Sequence, residues 1–155
     1  MPYAPDHGAL LTIDLGALLH NYRLLAARAP KAETAAVVKA DAYGIGIEAA
    51  VPALARAGCR TFFVAHLSEA ARVRAVAPAA DLYVLNGLPP GGSAGYGPLS
   101  ARPVLGSLDE IAEWRAAGGG ACAIHVDTGM NRLGLRPEEA EHLDLDGLDA
   151  RLLMS

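Results

Sequence analysis

Residues 35–46 read Ala35-Ala36-Val37-Val38-Lys39-Ala40-Asp41-Ala42-Tyr43-Gly44-Ile45-Gly46. The apolar, β-branched run up to Val38 is typical of a buried strand. Lys39 therefore stands at the carboxyl end of this strand, where the two glycines let the chain turn. We expect a lysine in this position to be partly desolvated, which favours the neutral amine that attacks a carbonyl. The alternative is an ordinary strand-end lysine that reaches solvent.

Short apolar strands alternate with helical patterns along the rest of the chain, which indicates βα units and a parallel sheet. The alternation fits either an open doubly wound sheet or a closed (β/α)₈ barrel, and periodicity does not choose between them. We predict strands at residues 35–39, 61–65, 82–85, 103–105, 122–126 and 151–154.

Capping residues mark the starts of the predicted helices. Asp14 caps the first helix, Ser68 caps a helix through Val76, and Ser107 with Glu110 forms a capping box. Two more helices are predicted, one from Ile47 to about Gly58 and one from Pro137 to about Leu143. The Gly-, Pro- and Ser-rich stretch at residues 87–100 predicts a loop.

A second segment repeats the layout of an apolar strand followed by a polar turn: Ala123-Ile124-His125-Val126-Asp127-Thr128-Gly129-Met130-Asn131-Arg132-Leu133-Gly134-Leu135. Together, residues 37–44 and 126–134 resemble the two signature motifs of the alanine racemase family. Members of that family use pyridoxal 5′-phosphate (PLP) and have fold type III. The resemblance runs from about Ala9 to Ser155.

The resemblance implies the barrel architecture, of which residues 1–155 would form the N-terminal part. A (β/α)₈ barrel needs about 250 residues, and six of its eight strands are recognisable in this sequence. The family's remaining barrel strands and its C-terminal β-domain have no counterpart in the chain. The short apolar stretch at residues 11–13 resembles a strand of that second domain. We therefore expect a portion of a longer protein, inactive alone.

By the same resemblance, three residues form the site. Lys39 would hold PLP covalently and act as a base at the Cα of the D-enantiomer. Tyr43 would bind the PLP phosphate, and Arg132 would lie near the PLP ring oxygen and the substrate carboxylate. A guanidinium suits a carboxylate because it donates two parallel hydrogen bonds. Asp41 and Asp127 are instead interpreted as turn residues.

His125 departs from the family pattern. Many members carry a carbamate-modified lysine there, which orients the arginine, and histidine forms no such stable carbamate. The family's second base is a tyrosine from the partner subunit, so the resemblance implies a homodimer.

The function implied is interconversion of L- and D-alanine, which supplies D-alanine for peptidoglycan. Two alternatives stay open at this stage. One is another fold-type III enzyme, either a broad amino-acid racemase or a decarboxylase, and the other is a non-catalytic PLP-binding remnant.

The composition of the chain argues against several other classes of protein. Hydrophobic residues make up 52% of the chain and charged residues 19%, which is typical of a globular domain. The net charge of −4 argues against a nucleic-acid partner. No signal peptide or membrane span is predicted, so we expect a cytoplasmic protein. Cys59 and Cys122 are predicted to be buried and reduced, and the scattered histidines predict no metal site.

Overall fold

The fold is built on one sheet of six parallel strands. The strands lie in the sheet in the same order as they occur along the chain. The computed structural model describes residues 8–155. The strands are β1 (Ala36–Val37), β2 (Thr61–Val64), β3 (Asp81–Val84), β4 (Ala101–Leu105), β5 (Ala121–His125) and β6 (Asp149–Met154). All six predicted strands are present, but the first is corrected: β1 is shorter than residues 35–39, and it is not buried, since Val37 is 46% exposed on a strand that, among the described strands, pairs with β2 alone. A doubly wound sheet reverses its strand order at a switch point, whereas this order runs in one direction and is that of a barrel.

Helices and turns connect the strands. They are α1 (Leu15–Arg28), α2 (Lys39–Tyr43), α3 (Ile47–Arg56), α4 (Leu67–Val76), α5 (Leu108–Ala116) and α6 (Pro137–Glu141). Residues 87–100 form the predicted loop, which contains two short 3₁₀ turns at Ser93–Gly95 and Gly97–Leu99. Each strand from β1 to β5 is therefore followed by helical structure before the next strand begins.

Strand side chains alternate between two apolar layers, because successive residues point to opposite faces of a sheet. One layer packs under the helices and includes the buried Phe62, Leu82 and Ile124. The other is smaller and centres on Tyr83, Val104 and Ala123, with Phe63 packed against it. The Phe63 and Tyr83 rings stack with centroids 5.1 Å apart. Leu85 and Met154, which pack against the second layer, also line the cleft described below.

Two of the predicted helix caps are corrected by the structure. Asp14 caps α1 as predicted, with its carboxylate accepting from Ala17 N–H at 3.0 Å. The cap of α4 is His66 rather than Ser68. Ser107 caps α5, but the capping box is wrong in its second half, since the Glu110 carboxylate accepts from Leu88 and Gly106 instead.

The apolar stretch at residues 11–13 forms no strand. Leu11 is 80% exposed and Ile13 is 42% exposed. A strand needs a neighbour to satisfy its backbone groups, and no strand within residues 8–155 pairs with this stretch. The first seven residues, on which the expectation about a signal peptide rests, lie outside the described residues.

The two cysteines are buried free thiols, as predicted. Burial raises the pKa of the Cys122 thiol from its ordinary 9.0 to about 11. The folded protein therefore keeps this proton at pH values where the unfolded chain releases it.

We expect the free energy of unfolding to fall as the pH rises from 9 towards 11, and Cys122→Ala to reduce that fall by on the order of 1 kcal/mol. The sign follows from the raised pKa, since the unfolded chain binds fewer protons than the folded protein in this range. Urea unfolding followed by fluorescence of Trp114, the chain's one tryptophan, measures it. Other raised thiol and phenol pKa values are common to both proteins, so an identical slope in the variant would contradict the assignment.

Candidate functional site

Lys39 opens a turn of unusual hand. Residues Ala40 to Tyr43 all have positive φ angles, between 52° and 55°. Left-handed backbone costs about 1–2 kcal/mol for each residue that carries a Cβ atom. Four such residues in a row therefore need support from the surrounding structure. We call residues 39–43, which are α2, the Lys39 turn.

The Lys39 turn is supported by side chains of α4 and by the start of α3. The Glu69 carboxylate accepts from Asp41 N–H at 3.3 Å through Oε1 and from Ala65 N–H at 2.8 Å through Oε2. The Asp41 carboxylate accepts from Ile47 N–H at 3.0 Å and from the Arg72 guanidinium at 2.6 Å. The turn is thus held through both the backbone and the side chain of Asp41, which confirms Asp41 as a turn residue.

These carboxylates are ionised at neutral pH. The Ile47 N–H and then Arg72 lower the pKa of Asp41, and Arg72 lowers the pKa of Glu48 to about 2. Burial opposes ionisation of Glu69, but hydrogen bonds from backbone N–H groups, with Ala65 the largest, outweigh it and lower the pKa. The contacts around the Lys39 turn are therefore charge-assisted, which makes them stronger than neutral hydrogen bonds.

Arg132 lies in a loop closed at its base by two backbone hydrogen bonds. Asp127 N–H donates to Leu135 C=O, and Leu135 N–H donates to His125 C=O, each at 2.8 Å. Within the loop, Asp127 Oδ1 accepts from Gly129 N–H and Asn131 N–H at 3.0 Å each. Asp127 is therefore a turn residue, as the sequence predicts.

Glycine is required where the Arg132 loop returns to β5. Gly134 has a φ of 115°, and a Cβ atom there would lie 2.7 Å from Asp127 N. The loop also approaches the end of β4, since a Cβ atom on Gly106 would lie 3.0 Å from Gly134 N. The loop is thus fixed by close backbone packing as well as by hydrogen bonds.

Glu110 links the ends of β3 and β4 beside this loop. Its carboxylate accepts from Leu88 N–H at 3.0 Å and from Gly106 N–H at 2.6 Å. Glu110 and Glu69 hold the same position, three residues after the helix cap. Glu69 joins the loop between β2 and α4 to the turn after β1. Glu110 joins the loop between β4 and α5 to the loop after β3.

Lys39 and Arg132 line one cleft of about 730 Å³ at the carboxyl ends of the strands. The cleft is also lined by Asn86, His125, Asp127 and Met130. Lys39 is half-buried. Tyr43 is 64% exposed and does not line this cleft. The structure therefore brings two of the three predicted site residues together and does not place the third in the lining of the cleft.

The Arg132 guanidinium is available to a ligand. Within residues 8–155, no carboxylate lies within ion-pair distance of it and no protein oxygen accepts a hydrogen bond from it. Across the same residues, no three His, Cys, Asp or Glu side chains gather where they could hold a metal ion. None of the helices in the described part of the chain is long and apolar enough to cross a membrane.

Comparison with known proteins identifies the family. The family model "Alanine racemase, N-terminal domain" matches residues 13–155. The chain belongs to the alanine racemase family. It is 60% identical to an alanine racemase of Methylobacterium nodulans over 95% of this chain and 40% of that protein. It is 53% identical to one of Acidiphilium cryptum, over 94% of this chain and 43% of the relative.

Solved structures agree with this family membership. Alanine racemase from Bartonella henselae, with covalently bound pyridoxal phosphate, superposes with a TM-score of 0.86 at 36% identity. That match covers 92% of this chain and 45% of the neighbour. A histidine racemase from Leuconostoc mesenteroides superposes with a TM-score of 0.74 at 26% identity, over 88% of this chain and 38% of that one. The chain thus spans less than half the length of these relatives.

Sequence reasoning missed the residues that hold the site in place. Glu69, Arg72 and Glu110 lie on helices and belong to neither motif. Glu110 was assigned to a capping box, and Glu69 stands at the matching distance from His66, but neither spacing indicates which distant loop the carboxylate reaches.

We expect Gly134→Ala to lower the free energy of unfolding by about 1–3 kcal/mol, because the new Cβ atom meets the Asp127 backbone in a left-handed conformation. Urea unfolding measures the loss. Gly97→Ala is the matched control, since a Cβ atom there meets nothing within 4 Å and its φ is not positive. Equal stability of the two variants would show that the close approach at Gly134 is not needed.

Proposed function

We propose that this chain forms the lysine-bearing side of a PLP-dependent alanine racemase site. The observation that supports this proposal most directly is that Lys39 and Arg132 line one cleft. They follow β1 and β5, at the carboxyl ends of the strands, which is where (β/α)₈ enzymes keep their active sites. The identity of 60% to an alanine racemase over nearly the whole chain supports the same assignment.

The cleft fits PLP in size and in chemistry. Its volume of about 730 Å³ lies within the range of cofactor pockets, roughly 300–1,000 Å³. A primary amine from Lys39 can hold the PLP aldehyde carbon covalently. The Arg132 guanidinium can donate to an anionic oxygen of the cofactor or the substrate. When bound, PLP supplies the electron sink that stabilises a carbanion at the substrate Cα.

We assign three roles to this chain's own residues. The Lys39 amine anchors the cofactor and moves a proton at one face of the substrate Cα, on the D-enantiomer's side. Arg132 binds the substrate carboxylate and lies near the cofactor ring oxygen. The Tyr43 hydroxyl binds the cofactor phosphate at the margin of the cleft, since Tyr43 does not line the cleft within residues 8–155 but is 64% exposed and accessible to a ligand.

Arg132 is oriented by its loop rather than by a carbamate. His125 lines the same cleft as Arg132 but carries no carboxylate-like charge. The two backbone hydrogen bonds that close the loop and the Asp127 carboxylate inside it hold the backbone around Arg132. We propose that this rigid loop directs the guanidinium in this protein.

The remaining parts of a racemase lie outside these residues in the proposed assembly. Residues 1–155 form the N-terminal portion of the barrel domain, and two further strands and a C-terminal β-domain complete it. The working form is a cytoplasmic homodimer, whose partner subunit supplies the second base as a tyrosine. Its product, D-alanine, serves peptidoglycan synthesis. The relatives' more than twofold greater length supports this larger architecture.

A second candidate is racemisation of another amino acid by the same site. The similarity to a histidine racemase at a TM-score of 0.74 favours this alternative. A fold-type III decarboxylase and a non-catalytic PLP-binding remnant have no such observation behind them. Assaying alanine, histidine and lysine with the longer protein separates the candidates.

We expect PLP to attach covalently to Lys39 in the purified chain. The chain has two lysines, Lys31 and Lys39, which makes the site of attachment easy to assign. Borohydride reduction followed by peptide mass mapping should find the adduct mainly on Lys39, because Lys31 is exposed and outside the cleft.

Lys31→Ala is the matched control for Lys39→Ala. The first variant should keep the adduct and the second should lose it. Equal labelling of Lys31 and Lys39 in the unmutated chain would be ordinary surface chemistry and would refute the proposed site.

We expect residues 1–155 alone to convert no L-alanine to D-alanine, because they hold one of the two bases that racemisation needs. A coupled D-amino-acid oxidase assay with added PLP measures this. Turnover by the purified chain that disappears in Lys39→Ala would show that the second base lies within these residues.

A further inference from the structure

Two side chains on one face of α4 form hydrogen bonds with the Lys39 turn. Glu69 and Arg72 are three residues apart, so their side chains lie on the same side of the helix. Glu69 accepts from the turn's backbone at Asp41 N–H. Arg72 donates to the Asp41 carboxylate at 2.6 Å and to Glu48, at the start of α3, through two hydrogen bonds. One helix therefore contacts the turn through an acceptor and a donor at once.

Helix α4, which carries both side chains, is anchored in the core. Ala70 and Val73 of α4 are fully buried in the main core. Glu69 is also tied to its own strand end, accepting from Ala65 N–H at 2.8 Å. The Glu69 carboxylate consequently joins the Lys39 turn to the end of β2, and the helix that carries it is anchored in the core.

We infer that Glu69 is a positioning residue for Lys39, which directs the lysine amine into the cleft by holding the left-handed turn. The inference rests on the proposed function, because the positioning matters through the cofactor that Lys39 would hold. Asp41 is two residues from Lys39 along the chain. If the turn relaxed to a right-handed or extended form, the backbone next to Lys39 would rotate and the amine would leave the cleft that Lys39 and Arg132 line.

The chain contains a matched control for this role. Glu139 occupies the same position in α6, three residues after the cap, but it accepts from Arg136 within its own helix start. It does not contact the Lys39 turn or line the cleft. Glu69→Gln and Glu139→Gln therefore make the same chemical change, but only Glu69 forms a hydrogen bond with the Lys39 turn.

The first measurement needs no cofactor. Hydrogen exchange by mass spectrometry should show the backbone amides of residues 40–43 exchanging about tenfold faster in Glu69→Gln, the factor expected when a charged acceptor is lost. Glu139→Gln should match the unmutated chain over these residues. Unchanged exchange in Glu69→Gln would overturn the inference.

The second measurement uses PLP and borohydride trapping. The ratio of adduct on Lys39 to adduct on Lys31 should fall about tenfold in Glu69→Gln, with the thermal unfolding midpoint kept near that of the unmutated chain. A ratio equal to that of the unmutated chain overturns the inference. A ratio that falls only together with the midpoint also overturns it, because general unfolding then explains the loss.

The two proposals fail in different ways. If the unmutated chain shows no preference for Lys39, the proposed function fails, and the exchange of residues 40–43 alone decides whether Glu69 holds the turn. If Glu69→Gln does not fold, Arg72→Gln replaces it in both measurements. Arg72 acts on the same aspartate from a more exposed position, and the same outcomes then apply.

Discussion

The left-handed conformation of residues 40–43 is the constraint on which the cleft depends. Four consecutive residues with Cβ atoms do not adopt this conformation without outside support. Charged support comes from Glu69 and Arg72, and the Ile47 N–H adds a hydrogen bond to the Asp41 carboxylate. Because the turn follows β1 directly, it holds Lys39 at the carboxyl end of that strand. The proposed chemistry of the amine thus depends on a carboxylate thirty residues further along the chain.

Glu69 and Glu110 show how neighbouring units of a parallel sheet are joined at its functional end. Parallel strands end together, and the loops that follow them expose backbone N–H groups without sheet partners. A glutamate in the first turn of the next helix accepts from two such loops. Its negative charge is also favoured at the positive end of the helix. The same position thereby links β1 to β2 and β3 to β4.

The two halves of the candidate site are fixed by different means. The Lys39 turn is held by charged side chains from α4, whereas the Arg132 loop is held mainly by backbone hydrogen bonds and by close packing at Gly134. Substitutions near Lys39 should therefore act through charge, and substitutions near Arg132 through steric fit. This difference lets the two halves be perturbed separately.

The sequence by itself determined where the strands and most of the helices lie along the chain, and it contained the two motifs, because apolar periodicity and short turn signals act over a few residues. It placed Lys39 and Arg132 at strand ends, so their meeting in one cleft followed from parallel pairing. The tertiary structure alone decided that the strands pair in chain order, that residues 11–13 form no strand, that Glu110 reaches Leu88 rather than its own cap, and that Tyr43 does not line the cleft. It also decided the hand of the Lys39 turn, since φ angles that are unfavourable locally are stabilised by contacts between residues about thirty positions apart.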